Sequence, residues 1–200
     1  MLTAFQNFLY NCAISFDLPV LDWIQANMQS GFMDKFMPFI TVFGDAGIFW
    51  MICAALMLIF PKTRRIGLGM ALAMVMGLVV CNMTLKPLVA RIRPYDLQAE
   101  LGVAIKLLCE AQHDFSFPSG HTIASFEAAV VLLKNSKKMG IPAMILAVLI
   151  SFSRLYLYVH YPTDVLTSIV LGTLFALIGD AIATKVAPKL SFGKKGKYQA

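Results

Sequence analysis

Three short stretches hold the residues whose types and spacing could do chemistry. They are Lys86-Pro87-Leu88-Val89-Ala90-Arg91-Ile92-Arg93-Pro94, Phe117-Pro118-Ser119-Gly120-His121, and the segment from Ser153-Arg154 to His160-Tyr161-Pro162-Thr163-Asp164. Together they supply cations (Lys86, Arg93, Arg154), two histidines and a carboxylate, the groups needed to grip a phosphate and transfer it. A phosphate ester repels nucleophiles, so its hydrolysis rests on positioning and on neutralising the equatorial oxygens. Lys86 and Arg93 stand seven residues apart. On a helix that spacing places them on one face about 10 Å apart, although Pro87 and Pro94 make the helix irregular. Arg154 adds a planar donor fork suited to phosphate oxygens. Pro118 fits the first turn of a helix. The amides of Ser119, Gly120 and His121 could then face an anion, aided by the helix dipole, and Gly120 permits close backbone approach. His160 and Asp164 straddle a helix start at Pro162. There the carboxylate can accept one imidazole proton and leave the other nitrogen aimed at phosphorus. His160 is then the nucleophile of a phosphohistidine intermediate, and His121 protonates the departing oxygen and later activates water. Taken singly, each cation also fits a headgroup contact, and His160 among Tyr156, Tyr158 and Tyr161 fits an interfacial aromatic belt. The conjunction favours phosphate chemistry.

The elements that must position these residues are membrane helices. Only 14% of the chain is charged, against about 25% in soluble domains. The predicted fold is therefore an all-α integral membrane bundle of about six helices. Five spans read clearly, roughly 46–60, 65–85, 119–134, 140–159 and 164–187. Residues 20–43, interrupted by Asp22, Asn27, Asp34 and Lys35, either cross or lie partly on the surface. The predicted organisation is an interfacial helix over 1–18, broken at Asp17 and Pro19, a membrane-embedded bundle over 19–188, and a basic tail over 189–200. Within 86–118, Leu97, Leu101, Ala104, Ile105 and Leu108 predict an amphipathic surface helix. Pro-Lys-Thr-Arg-Arg at 61–65, Lys134 to Lys138 and the tail share one side, which the positive-inside rule makes cytoplasmic. The chemical segments then meet on the extracytoplasmic side. There Lys86, Arg91 and Arg93 run against the rule, and a phosphate would give them a reason. The net charge of +6 is accounted for by this topology signal without nucleic acid. Cys12, Cys53, Cys81 and Cys109 form no metal or disulfide pattern. The N-terminus lacks signal-peptide features, so the first apolar segments are expected to remain.

The same residues resemble the type 2 phosphatidic acid phosphatase family, whose soluble relatives include vanadium-dependent haloperoxidases. The pattern is Lys, six residues, Arg-Pro; then Pro-Ser-Gly-His; then Ser-Arg, five residues, His, three residues, Asp, and every specified position is met here between 86 and 164. The resemblance implies phosphate contacts for Lys86, Arg93, Ser119, Gly120 and Arg154. It implies an acid role for His121, the nucleophile for His160 and an orienting carboxylate at Asp164, with no metal and no cofactor. It implies a six-helix bundle acting on a lipid phosphomonoester or an isoprenyl diphosphate, such as phosphatidylglycerol phosphate or undecaprenyl diphosphate. A vanadate-dependent oxidase and a non-catalytic lipid-phosphate binder or transporter are the rival readings. Outside the pattern, Glu127 is either functional or an interhelical hydrogen bond. Asn82 reads as a helix–helix contact, and His113, Asp114 and Ser116 as solvated loop. Asp45 and Asp180 carry no assignment.

Overall fold

Apolar runs punctuated by glycine, proline and charged turns fold into helices throughout, in a computed structural model that describes residues 2–187. No strand occurs among them, and the predicted basic tail lies outside the described residues. Leu2–Cys12 (α1) passes through a π-helical turn at Ala13–Asp17 into Leu18–Met28 (α2). The break predicted at Asp17 and Pro19 does not occur. The wider π turn accommodates Pro19, which lacks an N–H and would crowd a regular preceding turn. This first helix is amphipathic, with Leu9, Ala13, Leu18, Leu21 and Ile24 buried and Phe8, Tyr10 and Trp23 exposed.

Met33–Thr41 (α3) runs through a kinked turn at 42–47 into Ile48–Ile59 (α4). The ambiguous stretch 20–43 is therefore divided: its first part extends α1, and its second lengthens the first apolar path. Arg64–Gly77 (α5) continues through a π-helical stretch, Leu78–Leu85, into Lys86–Val89 (α6), which Ala90 ends in the left-handed conformation. Pro94–Glu100 (α7), Gly120–Asn135 (α8), Lys137–Tyr156 (α9) and Pro162–Val186 (α10) complete the order. The amphipathic helix predicted over 97–108 stops early. Gly102, at φ +82°, closes it in a Schellman cap: its N–H bonds Ala99 O at 3.1 Å and the Val103 N–H bonds Gln98 O at 2.8 Å.

Among the described residues, four helical paths are long and apolar enough to cross a membrane: Met33–Ile59, Arg64–Glu100, Lys137–Tyr156 and Pro162–Val186. The shorter α8 packs centrally against α5, α9 and α10. Close contact depends on small residues, as in other membrane bundles: a Cβ on Gly179 would lie 2.6 Å from Gly69 O, so α10 and α5 touch backbone to backbone. Asp180 ties three helices at the end bearing the basic turns. It accepts from Arg65 Nη1 at 3.1 Å and pairs with Lys134 Nζ at 2.9 Å. The chemical segments gather at the other end.

Candidate active site

Lys86 opens α6, the last turn of the α5–α6 helical path, and the left-handed turn at Ala90 then swings Arg91 to Arg93 out as extended chain. Lys86 and Arg93 thus do not share a helical face as their spacing predicts. They converge through space on Asp114: Lys86 Nζ lies 2.5 Å from Oδ2, Arg93 Nη2 pairs with Oδ1, and Arg93 Nε donates to Asp114 O at 2.9 Å. Pro118 also departs from expectation, because α8 begins at Gly120 with Ser119 as its N-cap. The Ser119 N–H is taken by Ser168 Oγ at 2.8 Å and its hydroxyl accepts from Thr122. Gly120 and His121 are left as the residues of this turn that line the cavity.

That cavity has a volume of about 510 Å³. Lys86, Arg93, Asp114, His121, Arg154 and His160 form its polar end, and Met51, Ala54, Leu58, Met74, Val75 and Leu78 wall its apolar half. Asn82 lines it as well, with its amide beside Gly120 of α8, and makes no interhelical hydrogen bond among the described residues. Glu127 reaches the cavity from α8; its side chain is buried and Oε1 has no hydrogen-bond partner among the described residues. Arg154 stands out. It is 2% exposed, its Nη1 donates to Thr41 Oγ1 at 2.6 Å, and its Nε and Nη2 have no acceptor among the described residues. A buried charged donor without acceptors costs on the order of 1–3 kcal/mol or more, a cost that an anion in the cavity would remove.

His160 sits on the corner between α9 and α10, fully enclosed. Its Nδ1 is 3.5 Å from Asp164 Oδ2, wider than a hydrogen bond. Its Nε2 is 3.2 Å from Arg93 Nη1. Arginine offers only donors, so Nε2 accepts, and the ring proton resides on Nδ1, facing Asp164. Burial first, then the positive charge of Arg93, Arg154 and Lys86, holds this imidazole well below the ordinary histidine range. It is therefore neutral at pH 7, the form in which an imidazole can act as a nucleophile.

Asp164 lies behind His160 at the third position of α10. It accepts from Arg91 Nη1 at 2.5 Å, from the Ser116 hydroxyl and from the Tyr161 N–H at 3.1 Å. Arg91, which the sequence offers to a phosphate, is committed elsewhere. It bridges Asp164 to Asp17 Oδ2 at 2.7 Å, and its guanidinium lies 3.7 Å over the Tyr161 ring. Asp17 also receives the Thr163 N–H at 2.9 Å and the Thr163 hydroxyl at 2.7 Å, so the N-terminal helix buttresses the corner that carries His160. On the opposite wall, His121 Nε2 meets Asp45 Oδ1 at 2.7 Å. Sequence reasoning left Asp45 unassigned and Asp114 and Ser116 in solvent. For Asp45 a signal existed: a carboxylate between two glycines inside an apolar path.

A helical membrane bundle that gathers cations and two histidines around a cavity with an apolar half defines a class: enzymes that remove phosphate from lipids. The chain belongs to the PAP2 superfamily, whose profile matches residues 65–186. It is 34% identical over 161 residues to an undecaprenyl-diphosphatase of Sulfolobus acidocaldarius, covering 80% of this chain and 75% of that one. Among solved structures it resembles Aquifex aeolicus LpxE, with a TM-score of 0.72 at 25% identity over 82% of this chain and 94% of that one. It also resembles the PAP2-type phosphatidylglycerolphosphate phosphatase of Bacillus subtilis, with a TM-score of 0.65 at 26% identity over 96% and 97%.

Proposed function

We propose that this phosphatase hydrolyses an isoprenyl diphosphate of the undecaprenyl diphosphate type, through a phosphohistidine on His160. The observation that carries the reading is the buried Arg154, whose Nε and Nη2 have no acceptor among the described residues and which lines the cavity together with His160. The terminal phosphoryl group is held by Arg154, Lys86 and Arg93, with Gly120 at the start of α8 as a further contact, while Ser119, buried and bonded to Ser168, caps the helix instead. His160 Nε2 attacks phosphorus, the anhydride P–O bond breaks, and His121 delivers a proton to the leaving phosphate oxygen. Water then attacks the phosphohistidine, His121 takes its proton, the N–P bond breaks and inorganic phosphate departs. Asp164, 3.5 Å from Nδ1, faces the proton-bearing side of His160 and would close to a hydrogen bond as positive charge develops on the ring. The apolar half of the cavity suits the lipid tail, and the name of the Sulfolobus relative supports the diphosphate. The likeness to the Bacillus enzyme supports a second reading, in which the substrate is a lipid phosphomonoester such as phosphatidylglycerol phosphate.

The active face is extracytoplasmic in this proposal. Lys62, Arg64, Arg65, Lys134, Lys137 and Lys138 lie at the bundle end opposite the cavity, where the positive-inside rule places the cytoplasm. The test is phosphate release by detergent-purified protein in the presence of chelator, with both lipids offered side by side. His160→Ala is expected to lower release by at least about 10³-fold. Faster release from phosphatidylglycerol phosphate than from undecaprenyl diphosphate would overturn the diphosphate preference, and activity retained in His160→Ala would overturn the phosphohistidine.

A further inference from the structure

We propose that Asp45 is the positioning residue for His121: it holds the imidazole by Nε2 so that Nδ1 exchanges the proton with the leaving oxygen and then with water. The inference rests on the phosphatase reading above and adds a residue to it. The pair is close, with Nε2 2.7 Å from Asp45 Oδ1, and Nδ1 makes no hydrogen bond among the described residues while His121 lines the cavity.

The backbone is built around this contact. The α3–α4 path breaks at Asp45, whose ψ of 120° is non-helical, and then turns through two left-handed residues, Ala46 at φ 48° and Gly47 at φ 67°. Alanine disfavours that conformation, and irregular backbone at membrane depth is tolerated where it lines a cavity. Here the break puts Gly44, Ala46 and Gly47 on the cavity wall and carries the Asp45 carboxylate to His121. Gly44, one residue earlier, forms the seat of the ring: a Cβ there would stand 2.6 Å from His121 Cδ2 and 2.8 Å from Ile150 Cγ2. The ring is thus backed by bare peptide and gripped at one nitrogen.

Each histidine is faced by a carboxylate, at 2.7 Å from Nε2 in His121 and at 3.5 Å from Nδ1 in His160, and the two carboxylates differ in exposure. Asp164 braces His160 from within the same corner of chain, and both are sealed. Asp45 reaches His121 across 76 residues from a half-exposed position. In the first step the His160 Nε2–P bond forms as the P–O bond breaks and the His121 Nδ1 proton moves to the leaving oxygen. The carboxylate favours the imidazolium that gives this proton. Afterwards it keeps the remaining proton on Nε2, so Nδ1 is free to accept from water.

A merely structural Asp45 would lower turnover of every substrate alike, whereas a positioning residue for the acid matters in proportion to how poorly the group leaves. The experiment compares kcat/KM, which reports phosphoryl transfer to His160, for phosphatidylglycerol phosphate and for p-nitrophenyl phosphate, whose phenolate leaves without protonation. Asp45→Ala is expected to lose about 100-fold on the lipid and less than about threefold on the aryl ester, with Asp45→Glu restoring part of the loss. Equal losses on both, or none on either, would overturn the proposal. A second readout does not depend on activity. In ¹⁵N-histidine-labelled protein, with three histidines to assign, His121 should carry its proton on Nε2 in the wild type and lose that preference in Asp45→Ala. An unchanged tautomer would overturn the proposal whatever the fate of the phosphatase reading, which the loss of phosphate release in His160→Ala tests separately.

Discussion

Arg91 and Arg154 are both buried arginines, at 7% and 2% exposure, one behind the corner that carries His160 and one lining the cavity with it, and they do opposite things. Arg91 is satisfied: two carboxylates, the Leu9 carbonyl and the Thr163 hydroxyl accept its protons, and Tyr161 covers its face. Arg154 is held by one hydroxyl, has no acceptor for Nε or Nη2 among the described residues, and lines the cavity. Neither charge nor burial distinguishes a structural cation from a substrate-binding one. Unmet hydrogen-bonding capacity does, and so does the place it faces.

The largest effect that would break the comparison is expected at the satisfied site. Arg91→Met leaves Asp17 and Asp164 buried without their counter-charge, a loss of about 3–5 kcal/mol. Thermal unfolding in detergent should show it as a large fall in Tm, and an unchanged Tm would mean that the network does not carry stability. Arg154→Ala should do the reverse, leaving Tm nearly unchanged while phosphate release falls about 10²–10³-fold, the worth of one transition-state donor group. If release survives in Arg154→Ala, the unpaired edge is not a phosphate contact.

A pH profile sharpens the comparison with a smaller effect. Because the folded protein holds His160 well below the ordinary range of about 6.5, the acid limb of kcat/KM should lie below that value. An acid limb at 6.5 or above would show that protonation of His160 does not control that limb. The smallest effect concerns Asp114. Burial raises this carboxyl, but the Lys86 hydrogen bond and charge and the Arg93 contacts outweigh it and hold it at about 2. The stability linked to that shift is present above the unfolded value of about 3.9 and is lost as pH falls through about 2. Asp114 therefore stays ionised at every working pH and occupies the cations that would receive phosphate. Because it is half-exposed, its pairs are weak. Asp114→Asn should lower KM a few-fold with little change in Tm, and a raised KM would make Asp114 a substrate contact.

Much of this was legible from the chain. The apolar runs mark the helices, and the spacing of Lys86, Arg93, His121, Arg154 and His160 marks residues that the fold brings to one cavity. The spacing succeeds for a reason other than helical periodicity, since a left-handed Ala90 separates Lys86 from Arg93 and the two meet on Asp114. What could not be read was pairing across distance. Asp17 finds Thr163 from 146 residues away and Asp45 finds His121 from 76, and no local pattern encodes either. The premature end of α7 was missed because the apolar periodicity continues past Gly102, where the backbone no longer does.

The apolar half of the cavity has a consequence for kinetics. Met51, Val75 and Leu78 wall it from α4, α5 and the π-helical stretch after α5 and are each about half exposed, so a tail can remain among neighbouring chains while its headgroup is cleaved. The concentration such an enzyme senses is then the substrate's mole fraction in the surface, not its molarity in the tube. Diluting a fixed amount of lipid substrate with more detergent should slow the reaction at constant bulk concentration, and rates should be compared only at matched surface density.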